Sequence, residues 1–153
     1  VMVLQPRAGK SPETSDEGPH RQLNQNSLPA LWGELVARAV QLDGVIEGHS
    51  SVSPAPSRAL LLTSLSEISA PETSLSPGEP LEPVHIHGAT DTSTHLCLPV
   101  ERANEVCELG WGEIHPFGDF GTEIMVYGPR DDKELEIALS IIDESLKFAR
   151  TRN

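Results

Sequence analysis

The sequence predicts an α+β domain, with helices packed on one face of a small antiparallel sheet and a histidine-bearing hairpin on the other. Three observations carry this expectation. Segments near the start and at the end place apolar residues at helical spacing. Two central segments alternate apolar and polar side chains. Strand-like segments are clustered rather than alternating regularly with helices. At 153 residues the chain has the length of one domain.

Residues 1–26 carry Pro, Gly, Ser, Glu, Asn and Gln without an apolar period, which predicts a disordered acidic and polar tail and leaves 27–150 as the single domain. Between Ser27 and Leu42, the residues Leu28, Leu31, Leu35, Val36, Ala39 and Leu42 share one helical face. Ser27 is the expected N-cap, Pro29 fits the first turn, and Asp43-Gly44 ends the helix. Ala59 to Thr63 reads as a short buried strand, and the Ser-, Pro- and Glu-rich stretch Ser64 to Pro83 as a long loop.

Pro83 to Val100 predicts two strands around the turn-rich Gly88-Ala89-Thr90-Asp91. Pro99 opens a helix through Leu109, with Ala103, Val106 and Cys107 inward and Gly110 at the stop. Ile124 to Tyr127 is a further strand. Asp131 with Glu134 then forms an Asp version of the capping box before a helix whose stripe is Leu135, Ala138, Leu139, Ile142, Leu146 and Ala149.

Charge narrows the function classes. Asp and Glu number 23 against 11 Lys and Arg, a net charge of −12, which disfavours nucleic acid or an anionic membrane surface as partner. No apolar run approaches the ~20 residues of a spanning helix, and a small molecule is the expected partner. The opening residues, which start at Val1, lack the apolar block of a secretory signal, and the two cysteines are too few for a disulfide scaffold; a cytoplasmic protein with reduced thiols is expected. Oligomeric state has no signature.

Strand parity gives the sharpest inference. Val84 and Ile86 alternate with His85 and His87; Leu96 and Leu98 alternate with His95 and Cys97. Alternate residues point to opposite faces, so His85, His87 and His95 project together once the apolar set faces the helices. An odd-length loop such as 88–92 sets His85 opposite His95. A fourth histidine, His115, follows closely in Gly110-Trp111-Gly112-Glu113-Ile114-His115-Pro116. Such a cluster can hold a transition metal through His85, His87 and His95, exchange protons near neutral pH, or orient a ligand by hydrogen bonds. A lone His-x-His pair on a wet sheet face is more often plain surface composition; His95 and His115 shift the balance. His20 and His49 lie outside the pattern and receive no role.

In order, His85-x-His87, His95-Leu96-x-Leu98, Gly110-Trp111-Gly112-x-x-His115-Pro116 and Tyr127-x-Pro129-Arg130 resemble the luciferase-like domain of fungal luciferases and related uncharacterised microbial proteins, with Asp91 also in place. The resemblance covers roughly Leu28 to Ala149 and is strongest from Pro83 onward. It implies oxygen chemistry, since fungal luciferases oxidise the hydroxylated pyrone 3-hydroxyhispidin with O2 and release carbon dioxide and light. Two features depart from those enzymes: the segment Phe117 to Glu123 is shorter, and no membrane-anchoring helix is present.

The expected function is an oxygenase acting on a planar phenolic or enolic small molecule, with O2 as co-substrate, a transition metal as possible cofactor and no light. His85, His87, His95 and His115 are the expected catalytic set, with His95 or His87 as base. Trp111 would stack on the ring, Arg130 would stabilise developing negative charge and Tyr127 would contact substrate. Glu113 or Asp91 would fix an imidazole tautomer. Each supporting residue has a duller reading: Trp111 as a core anchor, Arg130 as a partner of Glu134, Tyr127 as a sheet residue. Two other functions remain open, a non-catalytic module binding a small ligand or metal through the His85/His87/His95 face, and an interaction domain whose histidines sense pH.

Overall fold

Six strands, β1 (Ile46–His49), β2 (Arg58–Leu62), β3 (Leu81–Ile86), β4 (Thr94–Cys97), β5 (Gly112–Ile114) and β6 (Glu123–Val126), form one sheet in the order β1-β2-β3-β4-β6-β5. Every neighbouring pair is antiparallel. The computed structural model describes residues 2–53, 56–62, 71–76, 80–116, 118 and 120–150. Three helices, α1 (Pro29–Ala39), α2 (Val100–Glu108) and α3 (Asp132–Arg150), complete the domain. Sheet and helices together make the α+β class that the sequence predicts.

The helices gather on the face carrying Leu60, Val84, Leu96 and Ile124, all fully buried in register across four strands. On α3, Leu135, Ile142 and Leu146 supply the apolar stripe; Ile141 is fully buried and Leu139 only partly. Fully burying one such side chain contributes about 1.5–3 kcal/mol, so this face supplies the main stabilisation. Glu134 N donates to Asp131 Oδ1 at 2.8 Å, the forward half of the expected capping box. Gly110 follows α2 with φ +88°, the left-handed stop expected there.

Several local expectations change. Ser27 does not cap α1; Leu28 takes the N-cap position without a side-chain bond, and Leu28 itself is 73% exposed. The Ser27 hydroxyl donates instead to the Pro129 carbonyl, and its N–H donates to Thr92 Oγ1 at 2.8 Å. Tertiary partners have outcompeted the helix end. Strands β1 and β5 were not expected, because each is short and lacks a clear alternation. The region 64–83 contains a 3-10 turn at Pro71–Thr73 and the start of β3 at Leu81; residues 63–70 and 77–79, which the expected strand end and loop include, lie outside the described residues.

The expectation of disorder for residues 1–26 also needs correction. Residues 2–26 are irregular, yet they lie against the domain: Leu4 joins the hydrophobic core, and His20 and Gln22 are buried. Gln22 Oε1 accepts from Gly128 N at 2.8 Å, while its amide nitrogen donates to the carbonyls of Asn24 and Gln25. Side-chain and backbone hydrogen bonds to distant residues replace the apolar periodicity that composition reading looks for.

Candidate functional site

On the sheet face away from the core row, register determines what meets. His85 pairs with His95 across β3 and β4, His95 pairs with Met125 on β6, and Met125 with Glu113 on β5. His87 lies two residues beyond His85, and His115 two beyond Glu113, so parity sends both to the same face. The hairpin histidines therefore converge as expected, and His115 joins them. His20, which lies outside the sequence pattern, arrives from the N-terminal segment. Its loop is closed by Ser15 N to Arg21 O (2.9 Å) and Leu23 N to Glu13 O (2.8 Å).

His95 is the hub. Its ring centroid lies 5.2 Å from those of His20 and His85, 4.5 Å from His87 and 4.7 Å from His115. His95 Nδ1 is 3.1 Å from His85 Nε2, and His95 Nε2 is 3.3 Å from His20 Nδ1.

The four surrounding imidazoles each meet a carboxylate. His85 Nδ1 is 2.9 Å from Glu82 Oε2, His87 Nδ1 is 3.2 Å from Asp91 Oδ2, His20 Nε2 is 2.8 Å from Glu113 Oε2, and His115 Nε2 is 3.4 Å from Glu123 Oε2. Asp91 and Glu113 thus orient imidazoles, Asp91 on His87 and Glu113 on His20. Glu82 and Glu123 had not been singled out in the sequence. Glu82 has the parity of Val84 and should face the core, but the register slips: Leu60 pairs with Val84 while Leu62 pairs with Leu81. Three steps along β3 against two along β2 make a bulge, which turns Glu82 to the histidine side and Leu81 into the core. Pro83, lacking an N–H, sits inside it.

Burial sets the electrostatics. Desolvation pushes His95 well below the usual imidazole value, with neighbouring imidazoles adding to the effect, and it lowers His85 as well. His115 falls to about 4, again chiefly through burial. Burial alone would raise Glu82, Asp91 and Glu113, but hydrogen bonds from their partners outweigh it and hold all three below the ordinary carboxylate range. Burial therefore favours the neutral forms of His85, His95 and His115, while hydrogen bonds favour the ionised forms of Glu82, Asp91 and Glu113. Above them opens a cavity of about 380 Å³, whose lining includes all five histidines, Asp91, Glu123, Pro19, Arg21 and Leu75. That volume lies within the range of small-molecule sites.

Three expected substrate contacts are absent from this lining. Trp111 is buried in the hydrophobic core, its Nε1 donating to Gln5 O at 2.7 Å. Tyr127 donates its hydroxyl to Glu113 Oε1 at 2.9 Å, which places it behind the site. Arg130 pairs with Glu134 at 2.6 Å and donates to Ala8 O. In each case a neighbouring partner, the core or a carboxylate, outcompetes an open cavity for the side chain.

Ligand-bearing atoms of His85, His87 and His95 lie within 4.8 Å of one another, and so do those of His20, His95 and His115. A cation held at zinc–imidazole bond lengths of about 2.0–2.1 Å would set tetrahedral nitrogen ligands roughly 3.3–3.4 Å apart. The 3.1 and 3.3 Å separations around His95 match that spacing.

The family model described as Luciferase domain matches residues 80–145, a span holding His85, His87, His95, His115 and the four carboxylates. Luciferases of Armillaria gallica, Armillaria mellea and Armillaria ostoyae are each 28% identical over 162 aligned positions, covering 95% of this chain. The chain spans about 60% of the length of these curated relatives. No solved structure matches. No helix among the described residues is long and apolar enough to cross a membrane.

Proposed function

Because this chain carries a luciferase domain, we propose that it is an oxygenase whose histidine site holds a transition metal and oxidises a planar phenolic or enolic small molecule with O2, without emitting light. The observation that carries this reading is the pairing of His85 with Glu82 and of His87 with Asp91, beside His95. Metal-bound histidines characteristically give their distal N–H to a carboxylate, which fixes the tautomer and leaves the inner nitrogen for the cation. Imidazole ligands suit iron and copper as well as zinc. A redox-active cation at His85, His87 and His95 would supply a place for O2 and for the substrate oxygen.

The chain's own residues would do the rest. Burial keeps His85 and His95 neutral, as ligands must be. Leu75 and Pro19 give the cavity apolar surface for a ring. In the net change one C–O bond forms as the O=O double bond of O2 becomes single, the substrate's hydroxyl proton passes to the resulting peroxide, and the two electrons that reduce O2 to the peroxide level come from the substrate carbon.

Burial lowers His115 to about 4 and lowers His95 as well, which makes these two histidines poor sensors of pH near neutrality. Oxygen uptake with a panel of phenols and hydroxypyrones, followed alongside metal content and light, tests the proposal. Metal-dependent uptake without light is expected. Retained metal and ligand binding with no uptake for any compound would favour the non-catalytic binding module.

A further inference from the structure

A cation at the first site leaves His20, His115 and the second nitrogen of His95 to be explained. Resting on the reading that His85, His87 and His95 hold a metal, we propose that His20, His115 and His95 Nε2 hold a second cation, so that the His95 imidazole bridges two metal ions.

His95 is built differently from its neighbours. The other four imidazoles direct one nitrogen to a carboxylate, whereas His95 directs Nδ1 to His85 and Nε2 to His20. A terminal ligand needs one inner nitrogen and one anchored N–H; a bridge needs two inner nitrogens. The ligand atoms of His20, His95 and His115 lie within 4.8 Å of one another, as those of the first group do, and His20 is anchored on Glu113 as His85 is on Glu82.

Proton counting points the same way. Glu82, His85, His95, His20 and Glu113 form an unbroken chain with four contacts. Three neutral imidazoles carry three N–H groups, so with ionised carboxylates one contact always sets two lone pairs against each other. Cations at the two inner contacts remove the conflict. His85 and His20 then each give their N–H to a carboxylate, and His95 releases its proton to solvent on becoming the bridge. Charge complementarity agrees, because four carboxylates, those of Glu82, Asp91, Glu113 and Glu123, ring the imidazoles.

The test uses Cu2+ as probe in a His49→Gln background, which removes the exposed sixth histidine on β1. The protein is stripped with chelator, loaded with Cu2+, desalted, and read by copper analysis and electron paramagnetic resonance. Two copper ions per chain are expected, with integrated spin intensity well below that of two isolated ions, since an imidazolate bridge couples the spins. His20→Gln should lower the content to one ion and restore the isolated signal. If that variant fails to fold, the signal of the parent protein still decides. One copper per chain, or two with fully isolated spins, overturns the bridge and leaves the first site standing. No retained copper overturns both readings.

Discussion

His95 Nε2 lies 3.3 Å from His20 Nδ1, joining the centre of the sheet to a residue 75 positions earlier in the chain. That contact makes the irregular N-terminal segment part of the site. It also divides the site's residues by how they are anchored: four by carboxylates, one by imidazoles alone.

Asp91 should control metal affinity without touching metal. Its Oδ2 meets His87 Nδ1 at 3.2 Å, and its Oδ1 accepts from Ser93 Oγ at 2.7 Å. Asp91→Asn keeps the shape and removes the charge, so metal affinity should fall about 10–100-fold. Competition with a chromophoric chelator measures this. An unchanged affinity in a folded variant would sink the assigned role.

Metal should stabilise the fold. The ligands come from β3, β4 and the adjoining segments, so unfolding disperses them. Free metal at 100 times its dissociation constant would add about 2.7 kcal/mol, or roughly 5–10 °C in Tm for a domain of this size. Chelator should reverse the shift. A Tm indifferent to both would argue against a site formed only by the native state.

How much of this was legible in the sequence follows from the kind of signal each residue leaves. The hairpin's parity is local: alternation fixed the face of His85, His87 and His95, and loop length fixed the pairing of His85 with His95. Glu82 was hidden by the β3 bulge, which reverses its expected side without marking the sequence except through Pro83. His20 was hidden because irregular backbone has no period, and its contacts run to residues far along the chain. Trp111, Tyr127 and Arg130 sit within the recognised motifs, yet their positions are set by core packing and by Glu113 and Glu134.

Arg130 offers a negative control. Its part-buried pairing with Glu134 lies outside the cavity. Partial exposure and solvent screening limit that pair to about 1 kcal/mol. Arg130→Met should therefore lower stability slightly in urea titration and leave substrate turnover and metal content unaltered. A selective loss of turnover would restore Arg130 to the site.

Gln22 should hold the N-terminal segment in place. Its side chain is bonded to Gly128 N and to the carbonyls of Asn24 and Gln25, and it is 1% exposed. Gln22→Ala orphans these groups at a cost of about 1–3 kcal/mol. Hydrogen exchange should then quicken across the 13–23 loop ahead of the sheet; exchange confined to its parent rate would contradict the docking described.

Cys107 should be a slow thiol. Burial, with Glu113 and Glu108 nearby, raises it to about 11. At pH 8 only about one thiol in a thousand is ionised, and alkylation should quicken about tenfold per pH unit up to the folded value. Rapid labelling at pH 7 would show an ionised or exposed thiol.

X-ray absorption at the zinc edge of zinc-loaded protein reads directly whether His85, His87 and His95 hold a metal. Expected is a nitrogen shell at about 2.0–2.1 Å with outer-shell scattering from at least three imidazoles, and one fewer zinc ion per chain in His85→Ala and in His87→Ala. Zinc that washes away on desalting, or that shows only water oxygens and no imidazole scattering, would contradict it.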